Sequence, residues 1–446
     1  MIRMRNRPMG LSSAAAIRTV LGLLLAVFAA AAHAQLDITV RKGLARPVPI
    51  AVVPFGWQGS GPPPYDLAAV ITADLGNSGR FAPMAVRDMI SRPTEPAQVN
   101  FQDWRVSDVD ALVIGRLQQT GPDDFTAQFQ LFDVIRGRQL LGFRLTSNRD
   151  NLRATAHRIA DMIFEELTGI PGVFSTQIAY VSEERSGETR TYRLIVADAD
   201  GENARVIAES NQPLMSPSWS PDGRRIAYVS FEGNQSAIYV QTLRTGTRER
   251  VSMRAGHNGA PVFSPDGRRL ALTLSLAEGN FDIYTLDLAT QVLRRLTDSP
   301  AIDTEPTWSP DGETIYFMSD RAGGPQIYRV SANGGRAERV TFEGDYNARP
   351  RISPDGNELA VVHRDRGNFR IATFDLRTGR LKQVLTNGLL DESPSYAPNG
   401  AVLIYATRER GRGVLATATT DGTIQQQIAS GSGDVREPVW GPFPRP

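Results

Sequence analysis

The tetrapeptide Ser-Pro-Asp-Gly occurs four times, at Ser220 to Gly223, Ser264 to Gly267, Ser309 to Gly312 and Ser353 to Gly356, and recurs in weaker form as Ala397-Pro398-Asn399-Gly400 and Gly441-Pro442. Its prolines, at 221, 265, 310, 354, 398 and 442, are spaced by 44, 45, 44, 44 and 44 residues. So constant a period means that one supersecondary unit is stacked on copies of itself. A lead proline stands four residues ahead of each marker, at 217, 261, 306, 350, 394 and 438. The bulky residues between them are Trp219, Phe263, Trp308, Ile352, Tyr396 and Trp440. Each unit therefore opens with a short strand that ends in a Pro-Asp-Gly turn, because proline presets φ, the acid bonds nearby backbone and glycine tolerates positive φ.

Three more strands follow each turn. Arg225 to Ser230, Arg269 to Ser275, Thr314 to Ser319, Glu358 to His363 and Val402 to Thr407 form the second set. Ile238 to Leu243, Ile283 to Leu288, Ile327 to Ser331, Ile371 to Leu376 and Val414 to Thr419 form the third, and Val251, Leu296, Val340, Val384 and Ile428 mark the fourth. Four strands per unit describe a propeller blade, and a ring of blades buries apolar faces that a lone sheet would expose. The ends fix the number of blades. Gln177 to Ser182 repeats the second-strand pattern, with further strands at Arg193 to Ala199 and Ala204 to Glu209, but has no proline-marked first strand ahead of it. Glu437 to Pro442 is a first strand with nothing after it, so the C-terminus is expected to complete the N-terminal blade and close a ring of six.

The remainder of the chain has a different organisation. Arg3, Arg5, Arg7 and Arg18 precede an apolar run from Val20 to Ala32 and the small-residue site Ala32-His33-Ala34, which is the layout of a cleaved secretory signal over residues 1–34. That run is too short to span a bilayer comfortably, and no later segment comes closer. Removing the signal takes four positive charges from a net charge of +1, leaving −3, which argues against nucleic acid as a partner. The absence of cysteine excludes a lipid anchor on a cysteine and any disulfide, which suits a bacterial periplasm.

Residues 35–170 read as a small α/β domain abutting the propeller of residues 171–446. Strands are expected at Val48 to Phe55, Ala111 to Ile114, Phe125 to Phe132 and Leu140 to Leu145, with helices at Asp66 to Leu75 and Leu152 to Leu167. Leu36, Ile38 and Val40 alternate with polar residues, so Gln35 to Lys42 is either an edge strand of this domain or a detachable segment that pairs with a partner.

No chemistry is encoded in a recognisable motif. His157, His257 and His363 are scattered and there is no cysteine, so no metal site, catalytic residue or cofactor is expected. No Gly-x-Ser-x-Gly elbow and no phosphate loop is present. The carboxylates Asp303, Glu305, Asp391 and Glu392 leave a glycosidase as the enzymatic alternative, and a secreted propeller hydrolase acting on peptides or glycans is the competing reading. The turns repeat, whereas the pairs before the lead prolines do not: Met215-Ser216, Gly259-Ala260, Thr304-Glu305, Ala348-Arg349, Glu392-Ser393 and Arg436-Glu437. A channel mouth that differs in every blade suits one asymmetric protein partner.

The whole chain after the signal resembles the TolB family of the Tol-Pal system. The likeness rests on Ala51-Val52-Val53-Pro54-Phe55, Ala73-Asp74-Leu75 with Asn77-Ser78-Gly79, Leu167-Thr168-Gly169-Ile170, Gln212 to Pro217, His257 to Pro261, Thr304 to Trp308 and Leu390-Asp391-Glu392. The resemblance implies a periplasmic, monomeric adaptor that binds the peptidoglycan-associated lipoprotein Pal at the propeller mouth and TolA through its mature N-terminus, supporting outer-membrane integrity and cell division. Matching the family's Pal-binding loops points to Met215, His257, Asn258, Ala260, Thr304, Glu305, Asp391 and Glu392, and the TolA-binding segment falls on Gln35, Leu36, Asp37, Ile38, Thr39 and Val40. Asn347-Ala348-Arg349 departs from the family pattern, so Arg349 is left out of the expected site.

Overall fold

A computed structural model of the chain describes residues 38–40, 46–276, 279–428, 431 and 433–444. The expected signal segment and Gln35, Leu36 and Asp37 lie outside the described residues. Among the described residues, no helix is long and apolar enough to cross a membrane.

The C-terminal portion is a six-bladed propeller of antiparallel sheets. We number the blades from the first in sequence. Blade 1 has the order Arg205–Ser210, Thr189–Asp198, Gln177–Ser186, Asp434–Trp440, so its inner strand comes from the far end of the chain, as the unmatched ends require. Blades 2 to 5 each use four consecutive strands, with inner strands Leu214–Trp219, His257–Phe263, Asp303–Trp308 and Asn347–Ile352. Blade 6 begins at Glu392–Tyr396 and ends at Ile424–Ile428. Each inner strand touches the inner strands on both sides, and the cycle is complete.

The repeated tetrapeptide performs the same task in each copy. The Ser220, Ser264, Ser309 and Ser353 hydroxyls each donate to the aspartate two residues on at 2.5 Å, and each accepts the amide of the residue that opens the next strand at 2.9 to 3.0 Å. Bonds from these serines hold the Asp266, Asp311 and Asp355 carboxyls below the usual carboxylate range. The turn glycine has positive φ and faces the marker proline of the preceding blade: a Cβ on Gly223 would lie 3.4 Å from Pro442, and one on Gly267 would lie 3.5 Å from Pro221. The motif thus makes a turn and also the turn-to-turn contact between blades. Trp308 Nε1 donates to Val262 O of the preceding blade at 3.1 Å, and Trp440 Nε1 donates to Thr176 Oγ1 at 2.7 Å.

The N-terminal region is a sheet ordered Phe81–Pro83, Val48–Val52, Ala111–Gln119, Asp124–Asp133, Arg138–Asn148, parallel in its first three strands and antiparallel in the rest. Helices Leu67–Asn77 and Leu152–Thr168 share an apolar core with one face of it, the second burying Leu152, Ala156, Ile159 and Ile163 and ending at Gly169 with φ 72°. Short elements at Gly56–Gln58 and Phe101–Val106 were not expected from the sequence. Ile38–Val40 joins neither this sheet nor a separate element. It pairs antiparallel with Ile424–Ile428 as a fifth strand on the outer edge of blade 6, which corrects the expectation of an edge strand in the small domain.

Closure by Asp434–Trp440 sets a stability test. Trp440→Ala removes a side chain that is 9% exposed and its bond to Thr176, whose hydroxyl keeps only the Val173 carbonyl, which should cost about 3 kcal/mol in urea unfolding. Ending the chain at residue 433 should lower the melting temperature further than the point substitution. An unchanged midpoint in either variant would show that the ring does not depend on this strand.

Candidate functional site

One backbone feature recurs at the centre of every blade. The residue before each lead proline, Ser216, Ala260, Glu305, Arg349, Ser393 or Glu437, has φ between 47° and 56°. At the same place each inner strand slips register against its neighbour, between Met215 and Ser218, Gly259 and Val262, Thr304 and Thr307, Ala348 and Arg351, Glu392 and Ser395, and Arg436 and Val439. These are β-bulges, which bend a strand and re-aim a side chain. A left-handed non-glycine residue costs roughly 1 kcal/mol or more and persists only where its surroundings enforce it. All six bulge residues line a single cavity of about 160 Å³ on the propeller axis, together with Met215, His257, Gly259, Thr304 and Arg351.

The bulge residues differ chemically, and a network joins five of them across the bore. The Arg349 amide donates to Glu305 Oε2 at 2.8 Å and its Nη1 donates to Ser393 Oγ at 2.6 Å. Its guanidinium lies 3.3 Å from Glu305 Oε1 and 3.7 Å from Glu437 Oε1. Glu437 in turn accepts the Ser216 amide. Blades 4, 5, 6, 1 and 2 are therefore tied across the axis by side chains from one equivalent position. Arg351 also lines the bore. Its Nη1 donates to the Pro350 carbonyl at 2.8 Å, and burial pulls its guanidinium below its ordinary pKa.

The structure brings Met215, His257, Ala260, Thr304 and Glu305 to this cavity. Burial pushes the His257 imidazole down, favouring the neutral form, and its ring lies 5.2 Å from that of Phe281. Glu392 lies to one side, in a cleft lined also by Leu390, Arg408 and Arg436. Asn258 and Asp391 have a different setting. They stand three residues ahead of their lead prolines, as do Asp303 and Asn347, and all four are at most 1% exposed. Asn258 Oδ1 accepts from Ser252 Oγ at 2.7 Å and from the Arg254 amide at 3.0 Å, while Asp391 accepts from Thr407 Oγ1 at 2.5 Å and from the Gly388 amide at 3.0 Å. Asp303 is held by Arg321 Nη2 at 2.7 Å. This position anchors the loop that brings the chain into an inner strand, and its recurrence as Asn or Asp in four blades is a signal the sequence carries. Arg349, left out of the expected contact residues, is the residue that joins Glu305, Ser393 and Glu437 in the bore.

Met215 is the exposed apolar side chain that lines the cavity, and others lie on loops elsewhere on the blades. Met253, Ile302, Phe342 and Leu389, on the loops leading into the inner strands of blades 3 to 6, are 42, 44, 64 and 76% exposed, and Met215 is 38% exposed.

Comparison with known proteins places this arrangement among described ones. The TolB amino-terminal domain matches residues 36–140, and the TolB beta propeller domain matches residues 164–444. The Tol-Pal system protein TolB of Xanthomonas campestris pv. campestris is 47% identical over 423 residues, covering 94% of this chain and 96% of that protein. The protein of the same name from Thioalkalivibrio sulfidiphilus is 50% identical over 243 residues, which is 54% of this chain and 56% of that relative, so that alignment spans little more than half of either. The crystal structure of TolB from Acinetobacter baumannii matches with a TM-score of 0.83 and 41% identity, covering 92% of this chain and 100% of that chain.

The bore network generates its own test. Arg349→Met should leave Glu305 and Glu437 without their cation and lower unfolding stability by about 3 kcal/mol. Adding Glu305→Gln should restore about half of the loss, because the two sites are coupled. Purely additive effects in this double-mutant cycle would show that the residues do not act as a network.

Proposed function

The chain belongs to the TolB family, and from that premise we infer that it is a periplasmic adaptor of the Tol-Pal system, with residues 35–170 and 171–446 as its two working domains. The propeller mouth receives the peptidoglycan-associated lipoprotein Pal, and residues 35–40 engage TolA. The protein binds rather than catalyses.

The observation that carries this reading is the mouth itself. Six equivalent bulge positions hold Ser216, Ala260, Glu305, Arg349, Ser393 and Glu437 around one cavity, with the exposed Met215 at its lining. A polar centre with fixed, unequal groups gives orientation, and the loops that enter the inner strands supply the surrounding contact area. Within this reading Met215, His257, Ala260, Thr304 and Glu305 meet the partner directly, Glu392 meets it at the edge, and Asn258 and Asp391 hold the loops that present the others. Ile38–Val40 contributes a strand to the edge of blade 6, the type of pairing that a competing strand can replace.

Retention of a Pal periplasmic domain tests the assignment. His257→Ala should weaken binding about tenfold, equivalent to roughly 1.4 kcal/mol, while leaving the melting temperature near that of the parent, whereas Glu305→Ala should weaken binding and also lower the melting temperature, since it removes the acceptor of the Arg349 amide and guanidinium. Asn258→Ala should instead lower the melting temperature by several degrees, since it leaves the buried Ser252 hydroxyl and the Arg254 amide without their acceptor. Binding unchanged by both mouth substitutions would move the site elsewhere, and turnover of a peptide or glycan panel would favour the hydrolase.

A further inference from the structure

His157 lies on helix Leu152–Thr168 and is 2% exposed. Its Nδ1 is 2.7 Å from Asp74 Oδ2 on helix Leu67–Asn77. Its Nε2 is buried without a hydrogen-bond partner and faces Asp198 Oδ2 and Asp200 Oδ2, each at 3.9 Å. These two aspartates belong to blade 1, at the end of strand Thr189–Asp198 and in the turn after it. Arg153, one helical turn before His157, reaches the same pair: Nε is 3.2 Å from Asp198 Oδ2, Nη2 bonds Asp200, and Nη1 donates to Tyr65 Oη at 3.1 Å. Further along the helix, Asp161 accepts the amides of Phe174 and Ser175 at 2.7 and 3.1 Å, where the chain enters the propeller. Four carboxylates, Asp74, Asp161, Asp198 and Asp200, thus surround a junction at which Arg153 is the one permanent cation among the described residues that face them.

The protonation state of His157 follows from this geometry. A neutral imidazole that donates from Nδ1 to Asp74 turns an Nε2 lone pair toward two carboxylates, leaving a buried acceptor unsatisfied among like charges. An imidazolium directs an N–H at Asp74 on one side and at the blade 1 aspartates on the other. Asp74, His157 and Asp200 also form a ligand-like trio, but Arg153 already occupies the two blade 1 carboxylates, and its charge opposes a second cation there. We propose that His157 is held as an imidazolium and serves as a proton-operated latch between the N-terminal α/β region and blade 1, loosening when the proton is lost. This inference does not depend on what binds the mouth.

The electrostatic balance agrees with the geometry. Burial works against the charged imidazole, but the bond and charge of Asp74 and then the charge of Asp200 outweigh it, and His157 is raised above its ordinary value. Burial pushes Asp74 up to about 6. For a histidine raised in the folded state, the added stability is fully present below the unfolded value of about 6.5 and is lost as pH rises through the raised one. The junction should therefore be tightest in mild acid and loosen on the alkaline side of neutrality.

The test uses the chain from residue 35, labelled at histidine Cε1, in which His157, His257 and His363 are the three imidazoles. Burial pushes the latter two down, so they serve as internal references. His157 should titrate with a midpoint above its ordinary value, and Asp200→Asn should lower that midpoint without moving the other two. Amide exchange at Phe174 and Ser175, corrected for intrinsic rates, should rise several-fold between pH 6.5 and 8.5 in the parent and lose that dependence in His157→Gln. If His157→Gln does not fold, Asp200→Asn, in a partly buried turn of blade 1, provides the same comparison. A His157 midpoint at or below 6.5, indifference to Asp200→Asn, or junction exchange independent of pH would overturn the proposal. Saturation of the His157 signal by one equivalent of zinc at neutral pH would overturn it in favour of a metal site.

Discussion

The antiparallel pairing of Asp434–Trp440 with Gln177–Ser186 is the contact on which the rest of the molecule depends. It unites strands about 250 residues apart, so its loop-closure entropy is incurred before any contact is gained. The return comes in several places at once. Trp440 packs among Val173, Ile178, Tyr180 and Leu415, its amide reaches Ser395 Oγ at 3.0 Å, and Pro442 meets the turn glycine of blade 2. The same strand carries Glu437 into the bore, where it pairs with Arg349 and accepts the Ser216 amide. An unclosed ring would therefore lose its last interblade contacts and also one wall of the central cavity.

The inner strands divide their labour by position. Three residues ahead of the lead proline, Asn258, Asp303, Asn347 and Asp391 are buried and satisfy loop backbone or side chains. One residue ahead, the left-handed bulge turns its side chain to the axis, and there the chemistry is free to vary. A rigid ring with interchangeable central groups can be matched to one asymmetric partner without altering the blades. Strain at the bulges is tolerated because inner strands on both sides and the following proline hold the backbone.

The six-fold ring was legible because period, turn chemistry and unmatched ends all pointed to it. Second strands Arg225–Ser230, Arg269–Ser275 and Thr314–Ser319 have the bounds read from the sequence. The site was less legible. Reading the pairs ahead of the lead prolines located the mouth, but the bulges that aim Ser216 through Glu437 inward depend on a backbone angle that residue type does not announce. The family resemblance placed Asn258 and Asp391 among the expected contact residues and left Arg349 out, whereas the structure buries the first two and puts Arg349 in the cavity lining. Comparing the blades position by position separates the repeated anchors from the variable centre. The pairing of Ile38–Val40 with blade 6 was not legible, because an alternating strand pattern does not name its neighbour.

The central claim, that a partner is received by the variable mouth and not by the repeated turns, is most directly tested by hydrogen–deuterium exchange of the intact ring with and without a Pal periplasmic domain. The account predicts slowed exchange in peptides spanning residues 253–259, 298–305, 342–349 and 387–393, with the Ser-Pro-Asp-Gly turns at 220–223, 264–267, 309–312 and 353–356 unchanged. Protection confined to those turns, or to the sheet of the N-terminal region, would contradict it.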